Sequence, residues 1–155
     1  MKKLMTLMAC FTLTAFALEA VPTVTTAAEE EAPKLICPVA GKPVNMDKSV
    51  AYKGAEVYFC CGNCVKAFKE NPEKFAVKAN HQLVASGQFE QTGCPISGGK
   101  LNPETGITLN DVEVTFCCNN CKGKVAGETD EDAQLALVFS DAAFAKGFKK
   151  VEKEE

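Results

Sequence analysis

The chain contains no Arg and no Trp, so all 17 of its basic residues are Lys. They stand against 20 Asp and Glu residues, and the formal net charge is -3. Nucleic-acid-binding proteins usually carry a basic patch whose arginines bind phosphates and guanine edges. An acidic chain without Arg is not typical of that class, so we expect no nucleic-acid partner.

Histidine is also scarce, since His81 is the only one in the sequence. A Ser/His/Asp triad could therefore use only this one histidine, and the sequence contains no Gly-rich phosphate-binding loop. The sequence thus predicts neither a triad hydrolase nor a phosphate-loop enzyme. We interpret His81 as an exposed histidine of a connector rather than as a metal ligand. After residue 20 the chain keeps one Met, Met46.

Long apolar runs are absent except near the N-terminus, where residues 4–18 are interrupted only by Thr and Cys10. Two Lys residues precede this run and small residues follow it, which predicts a cleaved signal peptide over residues 1–20. The run is too short for a membrane span. We therefore expect a secreted or periplasmic protein without a stable span in the mature chain. A lipid anchor on Cys10 is a lesser alternative. Residues 21–33, rich in Thr, Ala and Glu, predict a disordered linker.

Cysteine, in contrast, is abundant, and its spacing shows an internal repeat. Eight of the nine cysteines follow the predicted signal peptide, and the last four lie 57 positions after the first four, without insertion or deletion. The two sets are Cys37, Cys60, Cys61 and Cys64, then Cys94, Cys117, Cys118 and Cys121. The flanking residues agree, since Cys-Pro-Val-Ala-Gly at residue 37 matches Cys-Pro-Ile-Ser-Gly at residue 94. The sequence therefore predicts a duplicated module.

The predicted domains are a first module over residues 34–80, a connector over 81–92 and a second module over 93–150. In the first, residues 49–59 predict a hairpin that turns at Lys53-Gly54, followed by a helix from near Asn63 that breaks at Asn71-Pro72. The second repeats the hairpin over residues 107–116, turning at Asn110-Asp111. A final helix is predicted over residues 140–149, with Ser140 as its N-cap. The fold class is α+β, with two tandem β-hairpin-plus-helix modules that resemble zinc knuckles.

In each repeat, a Cys is followed after 22 residues by Cys-Cys-x-x-Cys, where the hairpin is expected to meet the helix. The positive end of the helix dipole favours thiolates there. Adjacent residues of an extended chain face opposite sides, so the spacing favours two three-cysteine ligand sets. These are Cys37, Cys60 and Cys64, and Cys94, Cys117 and Cys121. Cys61 and Cys118 remain open as fourth ligands, buried thiols or redox partners.

The ligand chemistry indicates a soft or transition metal ion. Thiolates select Cu(I), Zn(II) or heavier soft ions over Mg²⁺, Ca²⁺ or Mn²⁺. A closed cage of four thiolates is typical of structural zinc, whereas a partly open site of three thiolates would suit Cu(I). The expected bound species is therefore Zn(II) or Cu(I).

Both repeats resemble the TRASH or YHS-type metal-binding module. The resemblance lies in Cys37-x22-Cys60-x3-Cys64, in the equivalent cysteines of the second repeat, and in the Phe59-Cys60-Cys61 start of the second cluster. It implies a compact β-hairpin-plus-helix fold and a role in heavy-metal trafficking, sensing or resistance, with another metal-handling protein as a partner. Cys61 and Cys118 are additional to the three-cysteine pattern, and the Tyr-His-Ser tripeptide is absent.

Two other interpretations of the cysteines remain open. An even number of cysteines in a small exported protein is also typical of a disulfide framework, here a stapled binding scaffold. Each repeat also contains Cys-x-x-Cys at an expected helix start, as in thiol–disulfide oxidoreductases. The chain lacks the βαβ context of the thioredoxin-like fold, which argues against the second of these.

Overall fold

The computed structural model of the protein describes residues 34–152. The predicted signal peptide, Cys10 and the predicted linker over residues 21–33 lie outside the described residues. Within the described range, no helix is long and apolar enough to cross a membrane.

The first hairpin is formed by β1 (Asn45–Tyr52) and β2 (Ala55–Phe59), which pair antiparallel. Lys53 and Gly54 join the strands with φ angles of 52° and 76°, as a two-residue turn that follows the twist of the strands requires. The predicted hairpin and turn are confirmed. Strand β1 begins before the predicted start, because an irregularity between Asn45 and Ser49 lets the pairing continue.

Two helices follow this hairpin. Helix α1 (Gly62–Glu70) ends where Asn71 precedes Pro72, because proline lacks the N–H that would continue the helix. A 3-10 turn (Pro72–Phe75) then leads into α2 (Ala76–Ala85). The predicted helix and its break are confirmed, and α2 runs through the predicted boundary between residues 80 and 81. The rest of the predicted connector contains a third strand, β3 (Phe89–Gln91).

The second repeat forms the same hairpin. After a 3-10 turn (Pro103–Thr105) come β4 (Gly106–Leu109) and β5 (Val112–Thr115), which are antiparallel. The turn residues Asn110 and Asp111 have φ angles of 45° and 65°. Helix α3 (Asn119–Ala126) follows. The tandem α+β architecture predicted from the sequence is therefore confirmed.

The C-terminal part of the described chain differs from the single predicted helix. It contains α4 (Glu131–Phe139), α5 (Asp141–Gly147) and β6 (Phe148–Lys150). Ser140 is the N-cap of α5, as predicted, although its side chain makes no capping hydrogen bond. Helix α4 was not predicted. Its N-cap Asp130 accepts a hydrogen bond from the Asp132 backbone N–H, and Glu131 and Asp132 lie in its first turn, where acidic residues favour a helix start.

The two repeats share one hydrophobic core. Helix α2 packs against α4 of the second repeat, and β3, in the predicted connector, pairs with β6 at the end of the second repeat. The largest buried side chains come from both halves of the chain, including Phe59 and Phe68 from the first repeat and Phe116 and Phe139 from the second. The described residues accordingly belong to a single compact unit.

Candidate metal centres

The first cysteine cluster lies where the hairpin of the first repeat meets α1. Cys37 comes from the loop before β1, Cys60 follows β2, and Cys64 lies in the first turn of α1. Their Sγ atoms all lie within 4.8 Å of one another. Cys37 and Cys64 are buried, whereas Cys60 is half-buried. A tight turn presents Cys37, since its carbonyl accepts a hydrogen bond from Gly41, whose φ is 63°.

The second cluster repeats this arrangement from equivalent elements. Cys94, Cys117 and Cys121 also have Sγ atoms within 4.8 Å of one another. The Cys94 carbonyl accepts a hydrogen bond from Gly98 at 2.7 Å, and Gly98 has a φ of 75°. The structure thus brings together the same three cysteines in each repeat that the spacing favoured.

The remaining two cysteines lie beside these triads. Cys61 Sγ is 3.5 Å from Cys64 Sγ and 3.9 Å from Cys60 Sγ, and Cys118 Sγ is 3.7 Å from Cys117 Sγ. The argument that adjacent cysteines face opposite sides fails here, because β2 ends at Phe59 and the chain bends before α1. Cys61 is exposed and Cys118 half-buried, so neither is a buried thiol, and all eight cysteines of the described range are free.

The sulfur separations fit a tetrahedral thiolate site. Four sulfurs at about 2.3 Å from a zinc ion lie about 3.8 Å from one another. Cys60 Sγ and Cys64 Sγ are 3.6 Å apart, as are Cys117 Sγ and Cys121 Sγ. The clusters are therefore compact enough to bind a metal ion without a rearrangement of the backbone.

In the first cluster, the surroundings favour ionisation of Cys37 and oppose ionisation of Cys64. Burial opposes ionisation of Cys37, but hydrogen bonds from the backbone N–H groups of Cys60, Ala40 and Val39 outweigh it and lower the pKa of this thiol. Burial raises the pKa of Cys64, and hydrogen bonds with Cys61 and Cys60 raise it further. Several thiolates this close repel one another, so a cation is needed before all of them ionise.

In the second cluster, the pKa values of the equivalent cysteines are shifted in the same directions. Burial opposes ionisation of Cys94, but hydrogen bonds from the Ser97 side chain and from backbone N–H groups lower its pKa to about 6. Burial and the neighbouring cysteines raise the pKa of Cys121 to about 12. In both repeats the pKa of the loop cysteine is therefore lowered and that of the helix cysteine is raised.

Two glutamines position the strands that present Cys60 and Cys117. Gln82 accepts a hydrogen bond from the Tyr58 N–H at 2.7 Å and donates one to the Tyr58 carbonyl at 2.9 Å. Gln91 makes the same pair of bonds with Thr115, at 2.9 and 2.7 Å. Tyr58 and Thr115 each precede their cysteine by two residues. The sequence did not indicate these glutamines, because they are not at equivalent positions of the repeat.

His81 does not belong to either cluster. It lies in α2, where its Nε2 atom is 3.2 Å from the Leu109 carbonyl and 3.1 Å from the Asn110 carbonyl. Its ring packs edge-on against Phe139 at 5.0 Å, and burial lowers its pKa. The interpretation of His81 as an exposed connector residue is wrong, because this helix packs against the second hairpin and α4.

Comparison with protein-family models shows that residues 35–79 match the YHS domain. The match spans all four cysteines of the first cluster and ends within α2. No curated protein and no solved structure gives a significant match to the chain. The second repeat is related to the first by its sequence offset and its equivalent cysteine triad. Residues 35–79 of this chain are therefore similar to the YHS domain, and within them Cys37, Cys60 and Cys64 are arranged so that they could hold a metal ion.

Proposed function

We propose that this protein is exported and binds one soft metal ion, Cu(I) or Zn(II), in each of its two thiolate clusters, for metal trafficking or resistance. The observation that carries the proposal is the convergence of Cys37, Cys60 and Cys64 on one point, repeated by the equivalent triad of the second half. The N-terminal sequence supports export. The all-sulfur donor set supports the choice of metal.

The graded exposure of the sulfurs supports a transferable ion rather than a purely structural one. Cys37 and Cys64 are buried, and Cys60 is half-buried, so these three would hold the ion from the protein side. Cys61 is exposed and its Sγ lies 3.5 Å from Cys64 Sγ. An acceptor thiol of a partner protein would meet Cys61 first. Exchange of this one ligand would open the site without unfolding the module.

The decisive experiment combines elemental analysis with thiol counting on the exported protein purified without air. We expect two metal ions per chain, with all eight cysteines alkylated only after a chelator has removed the metal. The element found distinguishes copper handling from a zinc site. A metal-free chain that contains four disulfides would contradict the proposal and would leave a stapled scaffold.

A dithiol function is the second candidate, and one observation favours it. Cys61 and Cys64 form a Cys-x-x-Cys pair at the N-terminus of α1, with their sulfurs 3.5 Å apart. Hydrogen bonds from the Cys64 backbone N–H and from its side chain lower the pKa of Cys61, which is the pattern of an attacking thiol. A metal-free chain that reduces a model disulfide, and loses this activity on Cys61→Ser, would support this candidate over metal binding.

A further inference from the structure

A hydroxyl group lies beside a sulfur of the second cluster and has no counterpart beside the first. Ser97 Oγ lies 3.2 Å from Cys117 Sγ in the second cluster. The equivalent position in the first repeat, 57 residues earlier, is Ala40. The second cluster therefore has a hydroxyl beside one of its sulfurs, and the first cluster has a methyl group at that position.

The local hydrogen bonds establish the direction of this contact. Ser97 Oγ accepts a hydrogen bond from the Gly99 backbone N–H at 3.2 Å, which leaves its own O–H free to donate. A cysteine that binds a metal as a thiolate has no proton, so the hydroxyl must be the donor, and its single O–H is shared between Cys117 Sγ and the Cys94 thiolate. Hydrogen bonds to a charged acceptor are stronger than those between neutral groups.

The backbone hydrogen bonds that close the loop are the same in both repeats, although Lys42 stands where the second repeat has Gly99. The Cys37 N–H donates to the Lys42 carbonyl at 2.8 Å, and the Cys94 N–H donates to the Gly99 carbonyl at 2.9 Å. The backbone that orients the Ser97 hydroxyl therefore has a counterpart in the first repeat. A Ser at position 40 would have an equivalent N–H to orient it.

We propose that the Ser97 hydroxyl makes the two metal sites unequal, with the second site the more labile. This inference rests on the proposed metal binding by both clusters. A hydrogen bond to a thiolate withdraws electron density from the sulfur, so Cys117 donates less strongly to its ion than Cys60 does. Hydrogen bonding of this kind around metal ligands tunes the metal site. The protein then carries one retained ion and one that it gives up first.

The test uses the full chain loaded with Cd(II), a soft ion that is visible by NMR, and titrated with a competing chelator. We expect two cadmium signals, of which the second site's disappears first. Ser97→Ala should shift that signal downfield, as stronger sulfur donation does, and raise the chelator concentration needed to remove it by about fivefold, the effect of one hydrogen bond. Ala40→Ser is the reciprocal variant and should shift the other signal upfield and make the first site more labile.

The outcomes separate this inference from the function on which it rests. Fewer than two bound Cd(II) ions in the unmodified chain would contradict metal binding by both clusters. Two bound ions with signals and release curves that neither substitution changes would overturn the role of Ser97 while leaving metal binding intact. Ser97 is exposed, so its replacement should leave the circular dichroism spectrum unchanged.

Discussion

Gln91 pairs with Phe148 in the antiparallel ribbon of β3 and β6, and Phe148 is also the residue that lies 57 positions after Gln91. The offset that relates the two cysteine sets thus relates two residues that face each other. Equivalent residues meet in this way when two copies of a unit are related by a local two-fold axis. The two repeats therefore pack against each other as an intramolecular pair and do not form separate domains.

The shared core predicts that both repeats unfold together. Phe148 is 4% exposed and stacks on Phe139 and Phe144, with ring centroids 5.5 and 5.2 Å away. We expect Phe148→Ala to lower the free energy of unfolding by about 3–5 kcal/mol, in a single transition followed by circular dichroism in urea. Met46→Ala is the control, since Met46 is 58% exposed and should change stability by no more than about 0.5 kcal/mol. Two separate transitions would contradict the shared core.

A substitution in one cysteine triad should remove the metal ion from that site only. Cys64→Ser removes a sulfur from the first triad only, and Cys121→Ser removes its equivalent from the second. We expect each variant to bind one metal ion per chain instead of two, measured by elemental analysis of the protein purified without air. Loss of both ions from either single variant would show that the sites are not independent.

Substitutions of Cys60 and Cys61, in the same cluster, should affect metal binding and metal transfer differently. We expect Cys60→Ser to abolish binding at the first site, because it removes a member of the triad. Cys61→Ser should keep the ion but speed its transfer to a competing thiol chelator, because the coordination position that exchange must open is already free. Stopped-flow transfer kinetics measure the difference. Equal loss of metal from the two variants would instead make Cys61 an obligatory fourth ligand.

The buried glutamine of the first repeat should be important for stability. Gln82 is 2% exposed and bonds both polar groups of Tyr58 and the Ile36 carbonyl. Gln82→Leu leaves these groups without partners, so we expect a loss of about 3 kcal/mol in the free energy of unfolding and weaker metal retention at the first site. Gln134→Leu is the matched control, since Gln134 makes one exposed hydrogen bond, to the Glu128 carbonyl. Equal stability losses in urea titrations would contradict a special role for Gln82.

An ion pair between the first hairpin and α5 should make stability depend on pH in the acid range. Lys53 Nζ lies 2.6 Å from Asp141 Oδ1, and this hydrogen bond, together with one from Asn80, lowers the pKa of Asp141 despite partial burial. Because the folded-state pKa lies below the unfolded value, the stabilisation is present above the unfolded pKa and is lost as the pH falls through the folded one. Asp141→Asn should flatten this part of the curve.

The measurement is the free energy of unfolding of the metal-free, reduced chain between pH 7 and pH 2, compared between Asp141→Asn and the unmodified protein. Asp132→Asn is the control, because its pair with Lys78 is more exposed on both sides and such pairs contribute little. Parallel curves for Asp141→Asn and the unmodified protein would show that the ion pair does not contribute.

The local features of this fold follow from short sequence patterns. Lys53-Gly54 and Asn110-Asp111 form the predicted turns, because few residues adopt positive φ at low cost and their strands alternate correctly around them. Pro72 ends α1 for an equally local reason. The cysteine triads could also be predicted from the sequence, because their members lie at fixed sequence distances from a hairpin end and a helix start.

Other features depend on contacts between distant parts of the chain, for which the pattern carries no signal. The pairing of β3 with β6 joins two three-residue strands, too short to show alternation. His81 is half-buried only because α4 and the second hairpin pack against its helix. Gln82 and Gln91 acquire their partners in the same way, and the bend after Phe59 brings Cys61 beside its cluster. The sequence pattern specifies the repeated unit. Tertiary packing specifies how the two units form one core, because the buried contacts join residues that are far apart in sequence.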